Sequence, residues 1–185
     1  MSKGFKTTSE SDIILTELML PSYANFSGKI HGGFVLSLMD KAAFACASKF
    51  SEEYCVTASV NRVDFLNSIE VGELVTLKAR VNYVGTSSMV VGIKVVSQNI
   101  RTGMEKHCNS SYFSMVAMDE NGKKTKVPGL TLSNKDDVRR FLRSIKHIKM
   151  RNERKIEFSE DIFIPINYNY KDILKGYNVQ LKKID

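Results

Sequence analysis

The 185-residue chain is poor in cysteine, with only Cys46, Cys55 and Cys108. They stand far apart in apolar or strand-like contexts without Cys-x-x-Cys spacing, which argues against a disulfide framework. They are expected to be reduced thiols packed as small hydrophobes, not catalytic groups. Histidine is equally scarce: His31, His107 and His147 have no ligand spacing, so no metal is expected. No apolar run reaches the roughly 18 residues of a membrane span. The opening MSKGFKTTSESD lacks the apolar segment of a signal peptide, so a cytoplasmic protein is expected. No Gly-x-Gly-x-x-Gly occurs, and strands do not alternate with helices, which excludes a dinucleotide-binding α/β fold.

What is present has the balance of a globular protein, with 43% hydrophobic and 25% charged residues. The length suits one domain and an appendage. The net charge of +7 is uneven: residues 1–129 carry +2 and residues 130–185 carry +5. Charge therefore splits the chain near Pro128–Gly129.

The organising stretch is Asn25 to Phe50. A polar, glycine-containing loop passes into a helical run in which only Ser37, Asp40, Lys41, Ser48 and Lys49 interrupt apolar and alanine-rich sequence after Phe34. A helix greasy on nearly every face is expected to be buried, which makes the Asp40 carboxylate an anomaly that needs a partner or a purpose. Gly32 and Gly33 leave backbone N–H groups at the helix start, a place to hold a polarised oxygen.

Around this helix the sequence reads as strands. Residues 1–12 look frayed, and Ile13 to Leu20 is a first strand closed by Pro21. Cys55 to Leu66 changes phase at Asn61-Arg62, which predicts a bulge or bend. Leu74 to Val84 alternates cleanly, with Val75, Leu77, Ala79, Val81 and Tyr83 on one face. Met89 to Ser97 and Cys108 to Met118 complete an antiparallel meander. The predicted architecture is α+β, a twisted antiparallel sheet wrapped around one long helix. Its free edges and open face favour pairing with a second copy.

These residues resemble the hotdog-fold acyl-CoA thioesterases, in the branch of the short-chain bacterial hydrolases and brain acyl-CoA hydrolase. The likeness runs from about Leu18 to Leu130. It rests on Asn25-x-x-Gly28-x-x-His31-Gly32-Gly33, Met39-Asp40, Val56-Thr57-Ala58-Ser59-Val60, Phe65, Gly72, Gly85-Thr86-Ser87-Ser88-Met89, and Val116-Ala117-Met118-Asp119 with Pro128 after it. The resemblance implies a homodimer with two interfacial sites, often a trimer of dimers, acting on acyl-CoA. It calls for no cofactor beyond CoA as part of substrate and product.

Thioester hydrolysis needs an activated water or nucleophile and stabilisation of a developing oxyanion. Asp40, the only acid in the central helix, falls on the family's catalytic acid; the alternative is a carboxylate paired with Lys41, Arg62 or a backbone N–H. Asn25 matches the asparagine opposite that acid, and would otherwise be a loop or cap residue. His31 stands as a supporting donor or a structural loop histidine. Gly32 and Gly33 supply oxyanion donors.

Gly33 and Asp40 lie seven residues apart on one helix, about 10 Å along its axis, too far to act on one carbonyl carbon. Asn25 and the glycine N–H groups of one subunit should therefore meet Asp40 of another. Gly85, Thr86, Ser87 and Ser88 match the family's hairpin near pantetheine and phosphates, or form a plain turn. Arg62 is a phosphate ligand or a salt-bridging arginine. Thr57 and Ser59 sit on the strand expected to line the acyl or pantetheine channel.

Beyond residue 130, Ser133 to Met150 reads as an amphipathic helix capped by Ser133 with Asp136. Its stripe is Val138, Phe141, Leu142, Ile145 and Ile148, with a basic face around it. The stripe is expected to pack on the core or a neighbouring subunit, ahead of a membrane surface or anionic CoA, with nucleic acid last. Ile156 to Tyr170 reads as strand-like or irregular. The rival to an enzyme is a non-catalytic hotdog module that senses acyl-CoA. A hotdog dehydratase ranks lower, for want of a histidine–acid spacing.

Overall fold

The structure is a computed structural model that describes residues 4–159 and 175–179. It forms two compact units, Met1–Lys146 and His147–Asp185. In the first unit the order is β1 (Phe5–Thr7), β2 (Ile13–Leu18), α1 (Gly32–Ser51), β3 (Tyr54–Val60), β4 (Glu73–Val84), β5 (Ser88–Asn99), β6 (Glu105–Met118) and β7 (Gly129–Thr131), followed by α2 (Lys135–Ser159), which continues into the second unit. The second unit's described residues are the end of α2 and an exposed turn at 175–179.

Five strands form one antiparallel sheet in the order β2-β4-β5-β6-β3. The sheet curls against α1, the architecture the alternating and helical segments predicted. Val35, Leu38, Met39, Ala42, Ala43, Cys46, Ala47 and Phe50 of α1 are buried. They meet Val75, Leu77, Ala79 and Val81 of β4, Val91 and Val95 of β5, and Phe113, Met115 and Ala117 of β6 in one core. Each such large side chain contributes about 1.5–3 kcal/mol by leaving water. The alanines let helix and sheet approach closely. All three cysteines are buried and none is in a disulfide, and burial pushes the Cys46 thiol up to about 12.

Several local expectations are corrected. The N-terminal residues are not frayed from Phe5 on: β1 pairs in parallel with β7, and Lys6 Nζ donates to the Phe50 carbonyl (3.0 Å) and the Glu52 carboxylate (2.5 Å). The irregularity in β3 falls between Thr57 and Ser59, not at Asn61-Arg62. Past Val60 the chain stays beside β6 through single bonds, Asn61 N–H to the Tyr112 carbonyl and Leu66 N–H to that of Cys108. In β4 the register shifts between Val81 and Tyr83. Tyr83 thereby leaves the face predicted for it and packs on Phe141 of α2, ring centroids 5.3 Å apart.

Helix α2 begins under Asn134, not Ser133. The Asn134 Oδ1 accepts from Asp137 N–H (2.9 Å), while the buried Asp137 carboxylate accepts from Ser133 N–H and Asn134 Nδ2. Asp136 instead pairs with Arg139 and Arg140. Of the predicted stripe, Phe141 and Ile145 are half-buried, whereas Val138 and Leu142 are exposed. Because α2 runs on to Ser159, the segment from Ile156 begins as helix; its remainder to Tyr170 lies outside the described residues. No helix among the described residues is long and apolar enough to cross a membrane.

Candidate active site

Asp40 is not buried within the chain. The five-stranded sheet covers one face of α1 only, so Leu36, Ser37, Asp40, Lys41 and Phe44, at helical spacing, share the other face and are exposed. The helix is thus greasy on two faces, one covered by its own sheet and one open. Leu36 and Phe44 flank Asp40 there, and the Phe44 ring meets Tyr54 of β3 edge-on at 5.7 Å. The partner of the carboxylate is neither Lys41, Arg62 nor a backbone N–H. Thr57 Oγ1 donates to Asp40 Oδ1 at 2.6 Å, and the same oxygen stands 3.5 Å from Met115 Sδ. Asp40 Oδ2 has no hydrogen-bond partner among the described residues.

Asn25 lies in a hairpin loop closed by an Ala24–Ile30 bridge. Its Oδ1 accepts from Ser27 N–H (3.0 Å), Ser27 Oγ (2.7 Å) and Lys29 N–H (3.2 Å). These bonds fix the amide's orientation: the oxygen is committed to the turn, and Nδ2 is the remaining donor. Asn25 is exposed, which leaves Nδ2 open to an external acceptor.

His31 caps α1. Its Nδ1 accepts from Gly33 N–H at 3.0 Å, which occupies one of the two glycine donors and sets Nδ1 as the unprotonated ring nitrogen. The expectation of two available oxyanion donors is corrected accordingly. Gly32 N–H, an orphan of the first turn, has no hydrogen bond among the described residues. A Cβ at Gly32 would stand 3.2 Å from the tip of the Phe65 ring, a tight contact that a small shift of this exposed side chain would relieve.

The other predicted residues disperse. Ser59 is half-buried in β3, opposite Ser114. Arg62 is exposed and bonded through Nε to Asp64 at 2.7 Å, the salt-bridging alternative. Gly85 to Ser88 make the β4–β5 turn, closed by Gly85 N–H to the Ser88 carbonyl (2.7 Å). The structure therefore brings together Asp40 with Thr57, and His31 with Gly33. It leaves Asn25 two helical turns and a loop away from Asp40 in sequence, on a separate hairpin. The Thr57–Asp40 contact had no signal in either segment alone. Among the described residues no three His, Cys, Asp or Glu groups cluster as a metal site would require.

Comparisons with known proteins meet this geometry. The profile of the thioesterase superfamily matches residues 27–104. The protein VdlD of Helicobacter pylori is 41% identical over 145 residues, which span 78% of this chain and 83% of that protein. The apo form of a hexameric acyl-CoA thioesterase superposes with a TM-score of 0.80 at 34% identity, over 82% of this chain and 97% of that one. An acyl-CoA hydrolase from Staphylococcus aureus, solved with butyryl coenzyme A, coenzyme A and coenzyme A disulfide, gives 0.78 at 29% identity, over 84% and 94%. Further solved forms of that enzyme replace an asparagine, an aspartate or a threonine with alanine. Those three stand at the same intervals from one another as Asn25, Asp40 and Thr57. By fold and by sequence, this chain belongs to the thioesterase superfamily and adopts its hotdog architecture.

Proposed function

We propose that the protein hydrolyses acyl-CoA thioesters to free fatty acid and CoA, with Asp40 as the reacting carboxylate. The observation that carries this reading is the Asp40–Thr57 pair on the open face of α1. It leaves Oδ2 for a water or for the thioester itself. In the general-base form, Oδ2 takes a proton from water as the water oxygen bonds to the carbonyl carbon. The C–S bond then breaks, and the proton passes to the departing thiolate. In the nucleophilic form, Oδ2 bonds to the carbonyl carbon and the C–S bond breaks, releasing CoA as its thiolate. Water then cleaves the mixed anhydride to the fatty acid and the Asp40 carboxylate, and the proton freed in that step passes to the thiolate. Thr57 acts in both as a positioning residue.

The carbonyl oxygen needs donors, and those on offer are Asn25 Nδ2 and Gly32 N–H. Gly32 stands eight residues from Asp40 along α1, about 12 Å, and Asn25 lies on the hairpin before that helix, so the reading takes both from a second copy. The open face of α1 and the free edge of β3 suit such a copy, since exposed Leu36, Phe44 and Tyr54 would be covered. Dimers associating in threes fit the hexameric relative. The hydroxyl-bearing turn 85–88 and Ser59 are assigned to the CoA arm, with no metal or redox cofactor and a cytoplasmic location. The intervals shared with the Staphylococcus aureus enzyme support the choice of Asn25, Asp40 and Thr57. The test is a free-thiol assay across acyl-CoA chain lengths on wild type and Asp40→Ala. Release of CoA by wild type and its loss in the variant is the expected result; no release at any chain length by a folded dimer supports an acyl-CoA sensor instead.

A further inference from the structure

We infer that Lys124 and Lys126, with Lys123 beside them, form the seat for the phosphate groups of the CoA substrate, an inference that rests on the acyl-CoA reading above. After β6 the chain turns back at Asp119–Gly122 and runs antiparallel to the end of that strand, where Lys124 bridges Met118. Thr125 N–H donates to the Ala117 carbonyl (3.0 Å) and Val127 N–H to the Thr86 carbonyl (3.0 Å), while Ala117 N–H donates to that of Ser87 (2.9 Å). The lysine segment and the 85–88 turn are thus stitched together through their backbones at one end of the sheet.

All three lysines are exposed, and none forms an ion pair among the described residues. The neighbouring acids form no ion pair with them among the described residues: Asp119 Oδ1 accepts from Asn121 N–H and Lys123 N–H within the turn, and Glu120 is exposed. Elsewhere on this unit Lys6, Lys29, Arg62, Arg80 and Lys106 have carboxylate partners. Lys78 and Lys94 are exposed and form no ion pair among the described residues, so Lys123, Lys124 and Lys126 are set apart by their clustering beside the 85–88 turn. The position is also suitable. Thr57 pairs with Met115, and Ala117 lies two residues further along β6, about 7 Å away. The lysine segment starts there, within reach of an extended pantetheine arm whose thiol end lies at Asp40. Lysine ammonium groups bind phosphate as mobile point charges, so their contribution should appear in binding and fade with salt.

The experiment compares Lys124→Gln/Lys126→Gln with wild type on butyryl-CoA and on butyryl-pantetheine, which lacks the nucleotide. Lys78→Gln/Lys94→Gln, which removes two exposed lysines paired across β4 and β5, is the control for net charge. The expected result is a KM for butyryl-CoA raised about tenfold with kcat retained, and no change with butyryl-pantetheine or in the control. An equal rise for both substrates, no rise, or the same rise in the control overturns the inference. Calorimetric titration with free CoA keeps the test independent of turnover: wild type should bind CoA about tenfold more tightly than the variant does, and equal affinity contradicts the assignment. Wild type that binds CoA through these lysines but cleaves neither thioester would overturn the hydrolase reading alone.

Discussion

At the scale of single residues, the hydrogen bonds that each polar side chain already makes decide what it has left to offer a substrate. Thr57 holds one oxygen of Asp40, so Thr57→Ala should lower kcat about tenfold while KM changes little, and Thr57→Ser should restore most of it. A fall in KM-dependent binding alone would contradict a positioning role. Glu73 makes a second, purely structural case. Burial pushes its carboxyl upward, but the Glu70 N–H, Lys106 and Ser97 outweigh that, and it titrates below the usual range. A depressed folded-state value means that its stabilisation is present above the unfolded value of about 4.3 and is lost as pH falls below it. Glu73→Gln should therefore cost about 1–3 kcal/mol at neutral pH and flatten the acid limb of a pH–stability curve read by urea melts. A variant whose acid limb matches wild type would refute this.

At the scale of elements, the cap of α1 is the clearest prediction. His31 Nδ1 satisfies Gly33 N–H, so His31→Ala should cost about 1 kcal/mol and His31→Asn should recover most of it. If His31→Ala instead abolishes turnover at unchanged stability, His31 is more than a cap. The elements also show what was legible beforehand. The helix and the four long strands were readable because period 3.6 and period 2 persist over many residues, as in Val75, Leu77, Ala79 and Val81. β1 and β7 were not, since three-residue strands paired across more than a hundred positions leave no local pattern. Asp40 was misplaced for a definite reason. Apolar residues on the open face of α1 read the same as those on the face covered by the sheet, so Leu36 and Phe44 made an open helix look buried. The Arg62–Asp64 pair and the Thr57–Asp40 bond depended on bends and registers that no single segment carries.

At the scale of the whole molecule, the proposed site takes its carboxylate and its amide from two copies, and the described sheet offers a free strand edge at β3 for the pairing. Phe44→Glu, which places charge on the open face of α1, should give a folded monomer by light scattering without hydrolase activity; a monomer turning over at the wild-type rate would break the link between assembly and chemistry. The most direct measurement mixes two inactive proteins, Asp40→Ala and Asn25→Ala, under conditions that exchange subunits. If Asn25 of one copy serves Asp40 of another, each mixed dimer contains one site with both groups intact, and activity should return to about a quarter of wild type after random exchange. If the mixture stays as inactive as its components while mixed dimers are demonstrably formed, the site is not shared between copies, and the account is contradicted.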